Sequence, residues 1–416
     1  MVTSVISAGD AANLGVQTTG GNDGVLVLRS GAAGAKVDAL SIAASGTATF
    51  VGEVAGVTAI NSGQIGGRRN ILYNGEMKVA QRSASETGLG AAAGYFTLDR
   101  WKMAINTASA GRYTMAQVAD GPPGFANCLK LTTTTADTSI AAGEHLILQQ
   151  NLEGQDLQHL KKGTASAEQV TVSFYVKGNA NAIYVCELQD KDTVGQRINT
   201  QSFAVTTSWN RIELTFAADT TGALNDDNAN SLSVNFWLHA GSTFTGGTFA
   251  SNTWAALTQA NRAAVSGFTS IFDATSRTLF LTGVQMEIGA TATEFESRSF
   301  GDELALCQRY FEKVAYEIAA QDLMSFFTAT TGNGLGIYQF KVTKRALPTN
   351  AYSALSDFIC YGNTYGSNTP NGLAMVSSTR DVAINPTIAA TNFLAQGASL
   401  LRLNGSGGFL TFSAEL

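Results

Sequence analysis

The run Leu232 to Leu238 alternates, so Leu232, Val234, Phe236 and Leu238 share one strand face. Ser233, Asn235 and Trp237 then point the other way, and His239 follows on their side. An indole flanked by amide and hydroxyl groups can stack on a sugar ring and hydrogen-bond its hydroxyls. Trp237, Asn235 and His239 are therefore candidate ligand-binding residues. The same pattern arises if another strand layer or a neighbouring subunit covers that face, because exposed aromatics generally mark an interface. A second aromatic sits in Asp99-Arg100-Trp101. It could present Trp101 to a sugar, or Trp101 could plug a core while Asp99 and Arg100 pair at a strand start.

Catalytic constellations are weak by comparison. Cleavage of a glycoside needs two carboxylates across a cleft, and Glu187, Asp190, Asp192, Asp226 and Asp227 are available. These acids, however, cluster around Asn- or Gly-bearing turns, where acids are expected anyway. The chain has no Gly-x-Ser-x-Gly elbow and no Gly-Lys-Ser phosphate loop. His145, His159 and His239 lack metal-ligand spacing, and Cys128, Cys186, Cys307 and Cys360 form no Cys-x-x-Cys pair. Free, buried thiols are the expectation for the four cysteines. The chain reads as non-enzymatic.

The elements that must hold these residues are strands. Charged residues are 14% of the 416, well below the roughly 25% typical of soluble proteins. Glycine is abundant at 43 and proline scarce at 5, so hydroxyls and amides do the solubilising. That composition suits sheets that pack on many sides, including against copies of themselves. The net charge of −6, without a basic cluster beyond Arg68-Arg69 and Lys161-Lys162, argues against nucleic acid. No apolar run reaches the ~18 residues of a membrane helix, and Met1 to Asp10 does not read as a secretory signal.

Residues 1–68 are rich in Gly, Ala, Ser and Thr, with strand-like pieces at Val25–Leu28, Ala39–Ile42 and Thr47–Val51. One copy of this segment is too lean to bury a core, whereas several wound together could share one. A stalk or attachment segment, most simply trimeric, is the expectation. Residues 69–300 alternate strongly, as in Val170–Val176, Ile212–Phe216 and Leu232–Leu238, and read as an antiparallel β-sandwich. A connector helix is expected over 301–318, from the Ser299/Asp302 cap and the spacing of Leu304, Cys307, Phe311 and Val314. Residues 319–416 return to short strands. The fold class is all-β.

The ordered motifs Arg69-Asn70-Ile71-Leu72-Tyr73-Asn74-Gly75-Glu76-Met77, Ala80-Gln81-Arg82, Leu98-Asp99-Arg100-Trp101, Thr207-Ser208-Trp209-Asn210-Arg211, Gly283 to Gly289, Ala292 to Glu296 and Cys307-Gln308-Arg309-Tyr310-Phe311 span about 69–315. As a set they resemble a module common in phage tail-fibre and virion structural proteins, with a jelly-roll sandwich similar to carbohydrate-binding modules. The resemblance implies a structural calcium shared by Glu76 and Glu287, against the alternative of two solvent-exposed acids; calcium needs about six oxygen ligands or more. It also implies a virion protein assembled in the host cytoplasm. As expectations, the chain is a homotrimeric fibre or adhesin that meets other virion proteins through residues 1–68 and binds a host cell-surface polysaccharide. The alternatives are a purely architectural tail, collar or head-decoration protein and a polysaccharide-degrading spike.

Overall fold

The computed structural model describes residues 68–106, 109–317, 321–362, 369–377, 379–389, 395–405 and 407–416, with short strand backbones before residue 65. The chain divides into two compact units, 1–60 and 61–416. In the first, strands Gln17–Gly20, Leu26–Ser30, Val37–Ile42 and Ala48–Phe50 form an antiparallel meander. The three strand-like pieces foreseen there coincide with the last three of these strands. The expected stalk-like winding involves side chains outside the described residues.

The second unit is built on a sandwich of two antiparallel sheets, in accord with the all-β expectation. The front sheet runs Asn210–Phe216, Val170–Gly178, Thr278–Ile288, Cys128–Thr135, Arg112–Val118, Ser85–Leu89. The back sheet runs Ala255–Ala256, Arg197–Val205, Ala182–Asp190, Asn230–Ala240, His145–Glu153, Lys102–Ile105, Gly94–Tyr95. Val170, Val172, Phe174 and Val176 point inward from the front sheet, and Leu232, Val234, Phe236 and Leu238 from the back. Phe174 meets Phe203 and Phe236 edge-on, with ring centroids 5.0 and 5.1 Å apart. Edge-to-face contact suits the aromatic quadrupole and adds to the burial itself. Trp101 is fully buried in this core, its indole N–H donating to the Asn74 carbonyl.

The connector helix is shorter than its spacing suggested. It covers Phe300–Gln308, with the Ser299 side chain accepting from the Asp302 N–H as the cap pattern implied. Phe311 and Val314 lie instead on a strand, Phe311–Ala315, which pairs with Phe409–Ser413. Pairing with a strand nearly a hundred residues later outweighed the local helical period, which short apolar runs specify poorly. Thr349–Tyr352 completes this small sheet. A further sheet orders Phe358–Gly362, Gly397–Leu403, Gln321–Thr328, Asn333–Gln339, Val382–Ala389 and Gly372–Ser377. Phe326, Tyr338, Phe340, Phe358, Leu401 and Phe412 form the core between these two sheets. No helix among the described residues is long and apolar enough to cross a membrane. All four cysteines are buried and free.

The C-terminal sheets are tied to the sandwich by charge. Both Glu153 oxygens accept from Arg309, at 2.8 and 2.7 Å, and Tyr310 adds a hydroxyl at 2.5 Å. Glu415 bridges Arg82 and the fully buried Arg100. The Leu416 carbonyl accepts from Tyr95 Oη and Asn151 Nδ2.

Candidate functional site

Trp237 does not form an open sugar platform. Residues 241–272 leave the end of its strand and cross the outer face of the back sheet, so the indole is fully buried. Ile147, Val185, Ala240, Phe244 and Ala263 pack round it as a second small core. The chain holds this cover with Ile271 N–H on Leu238 O, Thr269 N–H on Ile183 O and Ala263 N–H on Phe244 O. Arg262 lies 4.6 Å over the indole and donates Nε and Nη2 to the two Glu187 oxygens, at 2.9 and 2.6 Å. Asn235 is buried as well, its Nδ2 donating to Glu187 Oε1 at 2.7 Å. The cover is therefore the strand-layer alternative in another form, a loop layer from the same chain. Trp237, Asn235 and His239 are withdrawn as an exposed ligand surface.

His239 is buried beside two acids. Its Nδ1 is 2.7 Å from Ser270 Oγ, and its Nε2 is 3.5 Å from Glu144 Oε2. Asp137 stands next to both, its Oδ2 accepting from Ser109 Oγ and Ala110 N–H. Burial holds the His239 imidazolium down to about 4, despite the attraction of Asp137. Burial and the neighbouring Asp137 raise the Glu144 carboxyl.

The other acids singled out in the sequence mostly have structural partners. Glu287 Oε1 accepts from Gln285 Nε2 and Thr293 N–H, and its Oε2 from Thr293 Oγ1. Glu76 pairs with Lys78. Each carboxylate thus has donors of its own, and an ion shared by the two would have to displace them. Asp190 pairs with Lys162 at 2.7 Å, and Asp192 and Asp227 accept backbone N–H groups of Asn225 and Ala229. Asp99 and Arg100 do not pair with each other. Asp99 accepts from Gln81 and neighbours Arg82, while burial pushes its carboxyl up to about 6. Arg100 turns to Glu415 instead, with a positive φ of 70° that reverses the chain there.

The motif residues therefore build the frame. Asn70 Oδ1 accepts from Leu72 and Met286, and its Nδ2 donates to Val284 O. Gly75 passes so close to the Val284 carbonyl that a Cβ there would stand 2.1 Å from the oxygen.

A half-open aromatic surface lies on the front sheet. Val170, Val172, Phe174 and Val176 face the core; on the opposite face Thr171 and Ser173 are buried, whereas Tyr175 and Lys177 are partly exposed. Lys177 Nζ sits 5.1 Å from the centre of the half-buried Trp209 ring and 4.8 Å from that of Phe280. Lys130 approaches Phe280 from the next strand, at 5.2 Å. Trp209 and Phe280 meet edge-on with centroids 6.3 Å apart. Beside them, Tyr175 and Phe125 lie 5.2 Å apart, and Phe125 and Phe295 the same. Such a surface offers ring faces and cationic side chains together. Sequence reasoning missed it, yet the alternation argument used for Trp237 selects Tyr175 equally well on its own strand.

No family model matches the chain, and no curated protein matches it. Solved structures give distant likenesses. A CBM4 structure is 13% identical, with 52% of this chain and 97% of the other covered at a TM-score of 0.27. A family 11 carbohydrate-binding module from Clostridium thermocellum, in complex with a mixed-linked tetrasaccharide, is 15% identical over 51% of this chain and 99% of that one, at 0.26. The enzymatically active domain of bacteriophage CBA120 tailspike protein 4 is 11% identical at 0.27, covering 53% of this chain and 21% of that one. The functional reading rests on the residues themselves.

Proposed function

We propose that this chain is a bacteriophage virion fibre or adhesin protein, non-catalytic, that contributes to recognition of a host cell-surface glycan. The observation that carries the reading is the outer face of the front sheet, where Trp209, Phe280 and Tyr175 are interleaved with Lys130 and Lys177. Shallow surfaces of this kind bind weakly one by one and gain avidity when several copies engage together. The ordered motifs over 69–315 support a phage origin, with assembly in the host cytoplasm. A glycan array with the intact oligomer tests the reading. Binding is expected, and Trp209→Ala is expected to weaken it at least tenfold, about 1.4 kcal/mol. Absence of binding to any bacterial surface glycan, with no adsorption to host cells, would remove the receptor role.

Self-association fits a second surface. Phe327 and Leu335 are cross-strand partners, 51% and 47% exposed, and Ile337, on the Leu335 strand, is 62% exposed. An apolar strip of this sort on a sheet is suited to a second copy of the chain. Light scattering is expected to give a mass near three times 43.5 kDa, and a clean monomer would count against the trimer. The same strip favours the architectural alternative, in which neighbouring virion subunits cover it. A particle reconstruction separates the two readings: an adhesin leaves Trp209 open, whereas an architectural subunit has it buried.

A further inference from the structure

We infer that Asp137, Glu144 and His239 form a binding site for a zinc-class divalent cation, one that pins the end of the back sheet to the connector arriving from the front sheet. One oxygen from each acid and one ring nitrogen of His239 all lie within 4.8 Å of one another. The three residues are 5%, 4% and 0% exposed. They come from three places: Asp137 just past the Cys128–Thr135 strand, Glu144 just before the His145–Glu153 strand, and His239 near the end of Asn230–Ala240.

Two atoms in the cluster carry the inference. Glu144 Oε2 and His239 Nε2 are buried, and neither has a hydrogen-bond partner. They face one another at 3.5 Å, longer than an N–H···O bond of about 2.7–3.2 Å. Around a tetrahedral zinc with bonds of about 2.0–2.2 Å, neighbouring ligand atoms stand about 3.4 Å apart. The spacing is that of two ligands round an ion.

The supporting contacts agree. Ser270 Oγ is placed to accept from His239 Nδ1–H, which leaves the Nε2 lone pair facing the carboxylates. That outer partner is the usual means of orienting a metal-bound imidazole. Asp137 is fixed by Ser109 and Ala110 on one oxygen. One nitrogen and two oxygens make a borderline set, better matched to zinc than to calcium or magnesium, which favour all-oxygen shells. A water would complete four-coordination. The cover over Trp237 is anchored at the same place, since Gly241 N–H donates to the Glu144 carbonyl and Asp137 N–H to Phe272 O.

The test uses the untagged full chain, stripped with chelator and titrated with zinc chloride, followed by metal analysis and thermal melts. One ion per chain is expected, with a rise in melting temperature that chelator reverses. Substituting cobalt for zinc is expected to give the visible absorption of a tetrahedral centre. Glu144→Gln deletes a ligand atom that has no hydrogen bond to lose, so the metal-free variant should fold as well as its parent. It is expected to bind zinc at least a hundredfold more weakly, as is His239→Gln. Zinc that fails to bind at a tenfold excess, or that binds both variants as tightly as the parent, overturns the assignment.

Discussion

Arg262→Met is expected to destabilise the protein by about 3–5 kcal/mol, the cost of stranding one member of a buried ion pair. Glu187 is fully buried and its charge is met chiefly by Arg262, with Asn235 Nδ2 as a further donor. Methionine keeps much of the bulk over Trp237 but supplies no cation. Adding Glu187→Gln to the same chain removes the stranded charge, and most of the loss should return. Urea denaturation followed by tryptophan fluorescence checks this, because the Arg262 guanidinium lies over the Trp237 ring. The midpoint should fall in the single variant with little change in slope. A shift worth less than 1 kcal/mol would mean that water already reaches Glu187 and that the cover is loose.

The second large effect is expected at Glu415. Its carboxylate is the anionic partner of Arg100, whose guanidinium is fully buried and otherwise donates to the Asn151 carbonyl at 2.6 Å above the Tyr310 ring. Glu415→Ala should cost about 3–5 kcal/mol by the same reasoning. Glu415→Gln, which keeps an acceptor oxygen, should cost less. The comparison is Glu168→Ala, which breaks a pair with Lys161 whose side chains are 35% and 53% exposed. There a loss within about 1 kcal/mol is expected. Thermal melts of the three variants decide it, and equal shifts would show that the Arg100 site hydrates once its partner leaves.

The fold was legible where one strand face meets the core and the other does not. Val170–Val176 told its facing, and Leu232–Leu238 told its facing too, because period two survives any neighbour. What alternation could not tell is what lies beyond the second face. For Trp237 it is a cover from residues 241–272, whose sequence is poor in periodic signal. For Tyr175 it is a surface left half open. The two strands look alike in sequence, and the difference lies in where a distant loop travels. The helix end failed for a related reason. Leu304 and Cys307 sit on the helix, but Phe311 and Val314 were claimed by the strand Phe409–Ser413. The Asp137–Glu144–His239 cluster was illegible because its members are about a hundred residues apart at the extreme and join only when two strand ends align.

The tie between Arg82 or Arg100 and Glu415 also bears on the timing of biosynthesis. Arg82 and Glu415 are separated by 333 positions along the chain, and Arg100 and Glu415 by 315. During translation the sandwich sequence emerges well before its anionic clamp, and residues 409–413 must arrive before the strand at Phe311–Ala315 has a partner. Loop closure over such spans makes folding slow and leaves apolar strand edges unpaired meanwhile. A ribosome stalled short of residue 409 would therefore carry a nascent chain whose sandwich is formed but unlatched, sensitive to protease near Arg100 and Phe311.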